Sequence, residues 1–360
     1  MLTKYFASMA LLGCLTPALP QQIEIKMGTL APEKSPWHEI LQEIGQRWSK
    51  ISGGTVRLTI FAGGTLGDEP DTVRKLRVNQ LQAVALSGAG MGEIDKSVGC
   101  LQLPMMFDSY EELDYVRDRI APKLEKRIEA RGFLVLNWGD AGWVHFFSTK
   151  PAARLNDIRK LKLFCWAGDN EEFELWKANG FNPVSLPATD ILMGLKTGLI
   201  EAVPTTPLYA LWNQIVGLTQ YMNDVKWAPL IGATVISKST WEKIPQAFRV
   251  EMLKAARDSG AGLRDGIRKM GDSALDAMAQ GSKGNRKLKL TIIHGDAAVI
   301  ADWRREAEAV YPKLRGHSID AELFDDVRRL TNEYRSRAES ARPAGISVRA
   351  GTGDQRNGHK

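Results

Sequence analysis

The fold is decided by residues 23–61, IEIKMGTLAPEKSPWHEILQEIGQRWSKISGGTVRLTIF. Residues 23–28 alternate between apolar and polar side chains and predict a strand, whereas residues 36–50 carry apolar side chains at helical spacing and predict a helix. Ser35 is suited to cap this helix, with Pro36 as its first residue. A pair of glycines ends the helix, and a second strand follows at once. The segment therefore predicts strand, helix and strand, the unit from which open parallel α/β sheets are built.

The same alternation of strands and helices continues through most of the chain. Further strands are predicted at residues 83–86, 134–138, 143–148, 162–166, 183–186, 199–203, 233–237 and 289–293. Further helices are predicted at residues 69–79, 110–130, 170–179, 189–197, 207–221, 246–280, 298–311 and 321–341. We therefore expect an α/β fold of two lobes, each with a mixed, mostly parallel sheet flanked by helices, and one long helix that spans the lobes. A cleft between two such lobes is the expected binding site for a small molecule.

Length and composition are those of an ordinary globular protein. The 360 residues are enough for roughly two domains. The net charge is +6, from 48 Lys and Arg against 42 Asp and Glu, and no dense basic block occurs. Nucleic acid is therefore not an expected partner.

The first residues have the pattern of an export signal. Lys4 precedes a short apolar run at residues 5–15, which is too short to span a bilayer. We therefore predict a signal peptide over residues 1–21 and a periplasmic mature protein. Residues 11–14, LLGC, leave an alternative open, in which Cys14 is lipidated and anchors the protein.

Two cysteines, Cys100 and Cys165, follow in the exported part of the chain. An oxidising compartment permits a disulfide between them, but both lie among apolar residues, which favours buried free thiols. No Cys or His spacing typical of a zinc site occurs, and we expect no metal and no other cofactor.

Several groups of residues resemble the solute-binding subunits of TRAP (tripartite ATP-independent periplasmic) transporters, the DctP family. They are MGTLAP at 27–32 with PWH at 36–38, FAGGTLGDE at 61–69, LPMMF at 103–107, WGDAG at 138–142, DIRKLK at 157–162, NPV at 182–184, and LKTG at 195–198 with Glu201. The resemblance covers residues 22–315 and is carried by the order and spacing of these groups together.

The resemblance implies a type II-like periplasmic-binding fold that closes around a small molecule. It also implies delivery of that molecule to a small and a large integral membrane subunit, and a binding protein, not an enzyme. The implied parts are a first lobe at residues 22–141 and 230–272 and a second lobe at 142–229 and 273–315. Beyond them, apolar periodicity predicts a C-terminal helix at 316–341, and the Gly/Arg/Asp-rich composition without such a period predicts a disordered tail at 342–360.

The chain departs from this family at positions that grip a carboxylate. Two arginines common in the family are replaced by Val144 and Phe164, and the proline after the second arginine is replaced by Trp166. The family's binding asparagine falls on Thr205 or, with a shift of one residue, on Thr206. Because arginine binds a carboxylate through two parallel hydrogen bonds, we expect a ligand that is less acidic and more apolar than the family's usual carboxylates.

The candidate ligand-binding residues are mostly apolar or aromatic. They are Leu30, Ser87, Trp143, Val144, His145, Phe164, Trp166, Thr205, Thr206, Tyr209 and Trp212. Core packing also explains the aromatic members, and a turn after the strand also explains Ser87. His145 is either a hydrogen-bonding or pH-sensing group of the site or a structural histidine.

The sequence lacks the usual patterns of catalysis. No HExxH, GxSxG or Walker pattern occurs, and the histidines are scattered. The acidic pairs Glu111–Glu112 and Glu171–Glu172 are interpreted as solvated helix faces. Two alternatives to transport remain, a ligand-binding lipoprotein that serves a sensor or partner protein without transport, and an enzyme on a binding-protein scaffold.

Overall fold

Two β-sheets form the framework of the protein, one in each of two lobes. The computed structural model describes residues 22–280 and 290–340. The predicted signal peptide, Cys14 and the predicted tail at 342–360 lie outside the described residues. Within the described ranges, no helix is both long enough and apolar enough to cross a membrane.

The strands alternate with helices along the chain, as the sequence predicts. They are β1 (Ile23–Thr29), β2 (Val56–Phe61), β3 (Ala83–Ser87), β4 (Phe133–Trp143), β5 (His145–Ser148), β6 (Lys162–Trp166), β7 (Asn182–Leu186), β8 (Ala202–Thr205), β9 (Tyr221–Asn223), β10 (Pro229–Ser237) and β11 (Thr291–Ile293). The sheet of the first lobe has the order β2-β1-β3-β10-β4, and that of the second lobe β11-β9-β5-β8-β6-β7.

Both sheets are mixed. In the first, β1 is parallel to β2 and β3, and β10 is antiparallel to β3 and β4. In the second, β6 is parallel to β7 and β8, β11 is parallel to β9, and β5 is antiparallel to β8 and β9. The mixed α/β class predicted from the sequence is therefore confirmed.

The helices cover the faces of the two sheets. They are α1 (Pro36–Ile51), α2 (Glu69–Arg77), α3 (Gly88–Gly92), α4 (Tyr110–Ala130), α5 (Leu155–Ile158), α6 (Asn170–Ala178), α7 (Ile191–Thr197), α8 (Pro207–Trp212), α9 (Lys238–Trp241), α10 (Gln246–Gln280), α11 (Ala297–Leu314) and α12 (Ala321–Ser340). As predicted, the Ser35 hydroxyl caps α1 by accepting a hydrogen bond from the backbone N–H of His38.

Two of the connections between the lobes lie side by side among the described residues. One is the end of β4 at Trp143, after which β5 begins in the second sheet at His145. The other is the segment just before β10, and the backbone of Val144 is hydrogen-bonded to that segment. The N–H of Val144 donates to the carbonyl of Ala228 (2.8 Å), and its carbonyl accepts from the N–H of Trp227 (3.0 Å). Val144 therefore lies at the junction between the lobes.

The long helix α10 braces this junction. Its 35 residues span about 52 Å at ~1.5 Å per residue. It packs against α1 and β4 of the first lobe and against α8 of the second. The indole N–H of Trp48 donates to the carbonyl of Met252 (2.8 Å), and the amide of Asn137 donates to the carbonyl of Ala256 (3.2 Å). A Cβ at Gly260 would lie 2.9 Å from that of Asn137, so the close approach of helix and strand requires glycine.

The helix predicted at residues 207–221 is wrong beyond Trp212. Gln214 takes a left-handed conformation (φ 58°), which stops the helix. A short 3-10 turn, Ile215–Gly217, and then β9 follow, and β9 pairs with β5. Pairing with a distant strand overrides the local apolar periodicity here. The lobe boundaries predicted from the sequence stay predictions.

Candidate ligand-binding cleft

A cavity of about 750 Å³ lies between the two lobes. Its wall is mostly apolar and includes the ends of β1, β3 and β4 of the first lobe, the ends of β6 and β8 of the second, and one side of α10. This volume suits a small organic molecule. The cavity is therefore the candidate ligand-binding site.

Seven of the candidate residues line this cavity, namely Leu30, Ser87, Val144, Phe164, Trp166, Thr205 and Tyr209. Val144 and Phe164, which the resemblance aligns with family arginines, are 8% and 6% exposed. The structure thus brings together side chains from distant parts of the sequence. Their contact with a ligand stays a prediction.

Trp143, Thr206 and Trp212, also candidates from the sequence, do not line this cavity. Trp143 packs on Tyr110 in the core of the first lobe, with ring centroids 5.2 Å apart. The Thr206 hydroxyl caps α8 by accepting from the N–H of Tyr209 (3.4 Å). Trp212, at the end of α8, is 38% exposed. These three side chains therefore have structural or surface positions.

His145 is a buried strand residue and is also not part of the cavity wall. It lies in β5, opposite Thr205 of β8. Burial lowers the pKa of His145 to about 4, against a smaller opposing effect of the Asn223 backbone. The ring is therefore neutral near pH 7, and the pH-sensing role considered from the sequence does not fit.

The charged side chains of the cavity wall are mostly acidic. Seven are carboxylates and three are basic, the basic ones being Lys96, Arg159 and Arg264. Lys96 pairs with Glu171, and Arg159 pairs with Glu306 (2.7 Å). Arg264 approaches Asp114 (3.7 Å). Two of the three basic groups are therefore already paired, and the Nε of Arg264 is buried without a hydrogen-bond partner among the described residues.

Glu69, at the start of α2, is a buried member of the wall that the sequence did not single out. Its carboxylate accepts hydrogen bonds from the N–H (2.7 Å) and hydroxyl (2.7 Å) of Ser87 and from the N–H of Gly90 (2.9 Å). Burial raises the pKa of Glu69 to about 7 against these hydrogen bonds. The hydroxyl of Ser87, one of the candidate ligand-binding residues, therefore already donates to Glu69.

Glu172, near the start of α6, is a second acidic member of the wall. The sequence interpretation of Glu171 and Glu172 as one solvated pair is right only for Glu171, which is exposed and paired with Lys96. Glu172 is enclosed by protein yet keeps part of its surface accessible. Burial raises the pKa of Glu172 to about 7.

Asp68 joins the two lobes. Its Oδ1 accepts from the N–H of Glu69 (2.8 Å) within the first lobe. Its Oδ2 accepts from the indole N–H of Trp166 (2.7 Å) and the N–H of Ala188 (2.8 Å), both in the second lobe. Because Trp166 also lines the cavity, this contact between the lobes lies at the wall of the site.

We expect Trp166→Phe to shift the ligand-free protein toward a more open conformation. The phenyl ring keeps an apolar wall but removes the indole N–H, so Asp68 loses one of its two donors from the second lobe. Such a bond to a charged group contributes about 1.5–3 kcal/mol, enough to change the open-to-closed ratio by about tenfold or more. Distances between spin labels in the two lobes measure this shift. Trp212→Phe, outside the cavity, is the control, and an unchanged distance in Trp166→Phe would contradict the prediction.

We also expect the ligand-free protein to become less stable as the pH rises from about 5 to about 8. The pKa values of Glu69 and Glu172 are higher in the folded chain than in the unfolded chain, so over this interval the folded chain holds protons that the unfolded chain has already lost. The stability that this difference provides is lost as the pH rises and the folded chain releases the protons as well. Each carboxyl contributes at most about 3 kcal/mol. His145 has the opposite effect on stability, but only below about pH 6.5, where the unfolded chain binds a proton at this residue and the folded chain does not. Urea unfolding at a series of pH values checks this, with a flatter slope expected in Glu69→Gln and Glu172→Gln. Stability that rises with pH would contradict it.

Both cysteines are free and buried, in agreement with the preference for free thiols. Cys100 lies in the core of the first lobe, whereas Cys165 lines the cavity. Burial raises the pKa of both thiols, that of Cys100 to about 12, so both stay protonated near pH 7.

Known proteins share both the sequence pattern and the fold. Residues 27–316 match the family described as bacterial extracellular solute-binding protein, family 7. A solute-binding protein of Chromohalobacter salexigens is 22% identical over 253 residues, which cover 68% of this chain and 75% of that protein.

Two solved structures have the same fold. The sugar acid binding protein of Advenella mimigardefordensis, in complex with galactonate, has a TM-score of 0.79 at 19% identity and covers 87% of this chain and 99% of its own. A TRAP periplasmic solute-binding protein of Haemophilus influenzae, with bound L-gulonate, has a TM-score of 0.77 at 22% identity and covers 86% and 99%.

Proposed function

Because this chain belongs to the bacterial extracellular solute-binding protein family 7, we propose that it captures a small organic molecule in the cleft between its lobes and delivers it to a TRAP-type membrane transporter. The members of this family are binding proteins, and the proposed role here is binding without conversion of the ligand. Its expected partners are a small and a large integral membrane subunit, and its expected place is the periplasm.

The ligand we propose is less acidic and more apolar than a sugar acid or a dicarboxylate. The supporting observation is that Val144 and Phe164, which the resemblance aligns with family arginines, line the cavity. Apolar burial contributes about 25 cal/mol per Å² of surface removed from water, so such walls favour an apolar guest. The acidic excess of the wall acts in the same direction, since it disfavours an anion.

Closure of the lobes around the ligand is expected because residues of both lobes line the cavity. Leu30 belongs to the first lobe, and Phe164 and Tyr209 belong to the second. A ligand that contacts all three stabilises the closed arrangement more than the open one, which shifts the population toward closure. The few residues around Val144 that connect the lobes are suited to act as the hinge.

The identity of the ligand tests this proposal. The mature protein is purified without refolding, its bound small molecule is identified by native mass spectrometry, and its affinity is measured by calorimetry. We expect a neutral or positively charged molecule with an apolar body, recovered chemically unchanged. A sugar acid or a dicarboxylate as the tight ligand would contradict the proposed ligand class.

Uptake tests the transport role separately. Cells that contain the small and large membrane subunits are given the identified ligand in labelled form, with and without this chain. We expect uptake only in the presence of the chain. Uptake that is the same in its absence would favour a binding role that serves a sensor or partner protein.

A further inference from the structure

We propose that Glu172 and the aromatic side chains beside it form a subsite for an ammonium group, so that the ligand is an organic cation with an apolar body. This inference rests on the proposed function and deepens it by naming the charge of the ligand. The subsite consists of Glu172, Trp176, Phe181 and Trp227, all of which line the cavity.

The Glu172 carboxylate has unused hydrogen-bonding capacity. One oxygen, Oε1, accepts from the indole N–H of Trp176 (3.0 Å). The other, Oε2, has as its neighbour the thiol of Cys165 at 3.9 Å, a weak donor. A carboxylate accepts about four hydrogen bonds, so a ligand donor can be accommodated at Oε2.

The groups in direct contact with the Glu172 carboxylate supply no positive charge. Helix α6 packs against β6 and β7. On β6 the neighbouring group is the thiol of Cys165, and burial keeps this thiol protonated. From the start of α6 itself comes Asp169, whose carboxylate accepts from the N–H of Glu172 (2.8 Å) and whose charge repels that of Glu172. Among the described residues, Lys96 is paired with Glu171, and Arg159, whose guanidinium lies 5.1 Å from the centre of the Phe181 ring, is paired with Glu306. A buried carboxylate of this kind is stabilised by a positively charged guest.

The aromatic rings at this end of the cavity independently favour a cation. Trp176 lies 5.8 Å from Trp227 and 4.6 Å from Phe181, measured between ring centroids. Both tryptophans keep accessible surface in the cavity wall. Faces of aromatic rings attract ammonium groups, and clustered rings are the usual means of binding them. The subsite therefore combines an acid and aromatic faces, the two groups that recognise an organic cation.

Matched probes test the charge of the ligand. Phenethylamine, phenethyl alcohol and hydrocinnamate share one apolar body and differ in head group, as do tryptamine, tryptophol and indolepropionate. Calorimetry on the mature full-length protein at about pH 8 is expected to give an affinity for the amine of each set about tenfold or more above that for its alcohol, and no binding of the acid.

Glu172→Gln is the decisive variant. It is expected to lower the affinity for the amines about tenfold or more and to change that for the alcohols by less than about threefold. Glu174→Gln, an exposed residue on the same helix and outside the cavity, removes the same charge and is expected to change neither. Lowering the pH from about 8 to about 6 protonates Glu172 and is expected to weaken amine binding in the wild type but not in Glu172→Gln.

The outcomes separate this inference from the proposed function. If an alcohol or an acid binds as tightly as its amine, or if Glu172→Gln binds amines like the wild type, the ammonium subsite is wrong while the apolar cleft stands. If no probe of either set binds and the lobes do not close, the apolar cleft is wrong as well.

Discussion

Replacing Arg268 with methionine is expected to lower the free energy of unfolding by about 3–5 kcal/mol. Arg268 lies on α10 and donates to Asp114 through two nitrogens (2.8 Å each) and to Asp140 (2.7 Å and 3.3 Å). Asp140 is a fully buried side chain of β4. The substitution removes the cation that pairs with Asp140 and leaves the Asp140 carboxylate buried without a positive partner. Removing one member of a buried ion pair is the costly case.

Arg268, Asp114 and Asp140 form a network in which the charge of each residue depends on the others. Burial opposes the ionisation of Asp114, but the hydrogen bond from Arg268 and the charges of Arg117 and Arg268 outweigh it and lower the pKa of Asp114. The same hydrogen bonds raise the pKa of Arg268 against its own burial. The ring of Tyr110 lies 4.2 Å from the guanidinium of Arg268 and adds a cation–π contact.

Two further variants control for the loss of the arginine. Arg257→Met removes an exposed arginine of the same helix, paired with Glu125, and is expected to cost less than about 1 kcal/mol. Asp140→Asn leaves Arg268 its two bonds to Asp114 and is expected to cost about 1–3 kcal/mol. Urea unfolding of the three variants measures these differences. If Arg268→Met costs no more than Arg257→Met, the network does not stabilise the fold.

This network also matters for the site, because it fixes the strand that connects the lobes. Asp140 precedes Val144 by four residues on the segment that crosses between the sheets. Arg268 attaches that segment to α10, the helix that contacts both lobes. In a closing motion β4 and α10 can therefore move as one body while the chain bends after Trp143.

The sequence predicts most of the architecture because burial leaves a periodic pattern. Strands and helices such as β2, α4 and α10 end where they were expected, since their apolar spacing and end signals agree. The helix predicted after Trp212 does not form, because β9 in this stretch is stabilised by pairing with β5. Local spacing contains no information about a strand that lies far away in the chain.

Adjacent residues explain the mixed outcome for the site. Val144 lines the cavity and Trp143 does not; Thr205 does and Thr206 does not. Neighbouring side chains of an extended chain point to opposite sides, so a resemblance that marks a short stretch includes residues that do not face the cavity. Glu69 and Glu172 were missed for another reason. They lie at helix starts, where acids are common, and only the packing of the lobes shows that they line the cavity.

Replacing Val144 with arginine is expected to lower the affinity for the native ligand about a hundredfold or more. The new guanidinium enters a mostly apolar cavity, where it must lose water and displaces volume that the ligand fills. If the ligand is a cation, repulsion between like charges adds to this loss. The backbone bonds of Val144 to Trp227 and Ala228 do not depend on its side chain, so the lobes are expected to stay connected.

Val144→Met is the matched control, because it adds length without charge and is expected to lower the affinity about tenfold at most. Calorimetry with the co-purified ligand measures both variants, and circular dichroism and thermal unfolding establish that both are folded. The two substitutions separate size from charge at the position where the family commonly has an arginine. If a folded Val144→Arg protein binds with the wild-type affinity, the residue does not contact the ligand. If it binds more tightly, the ligand is an acid, since a buried guanidinium strengthens binding only to a group that neutralises it.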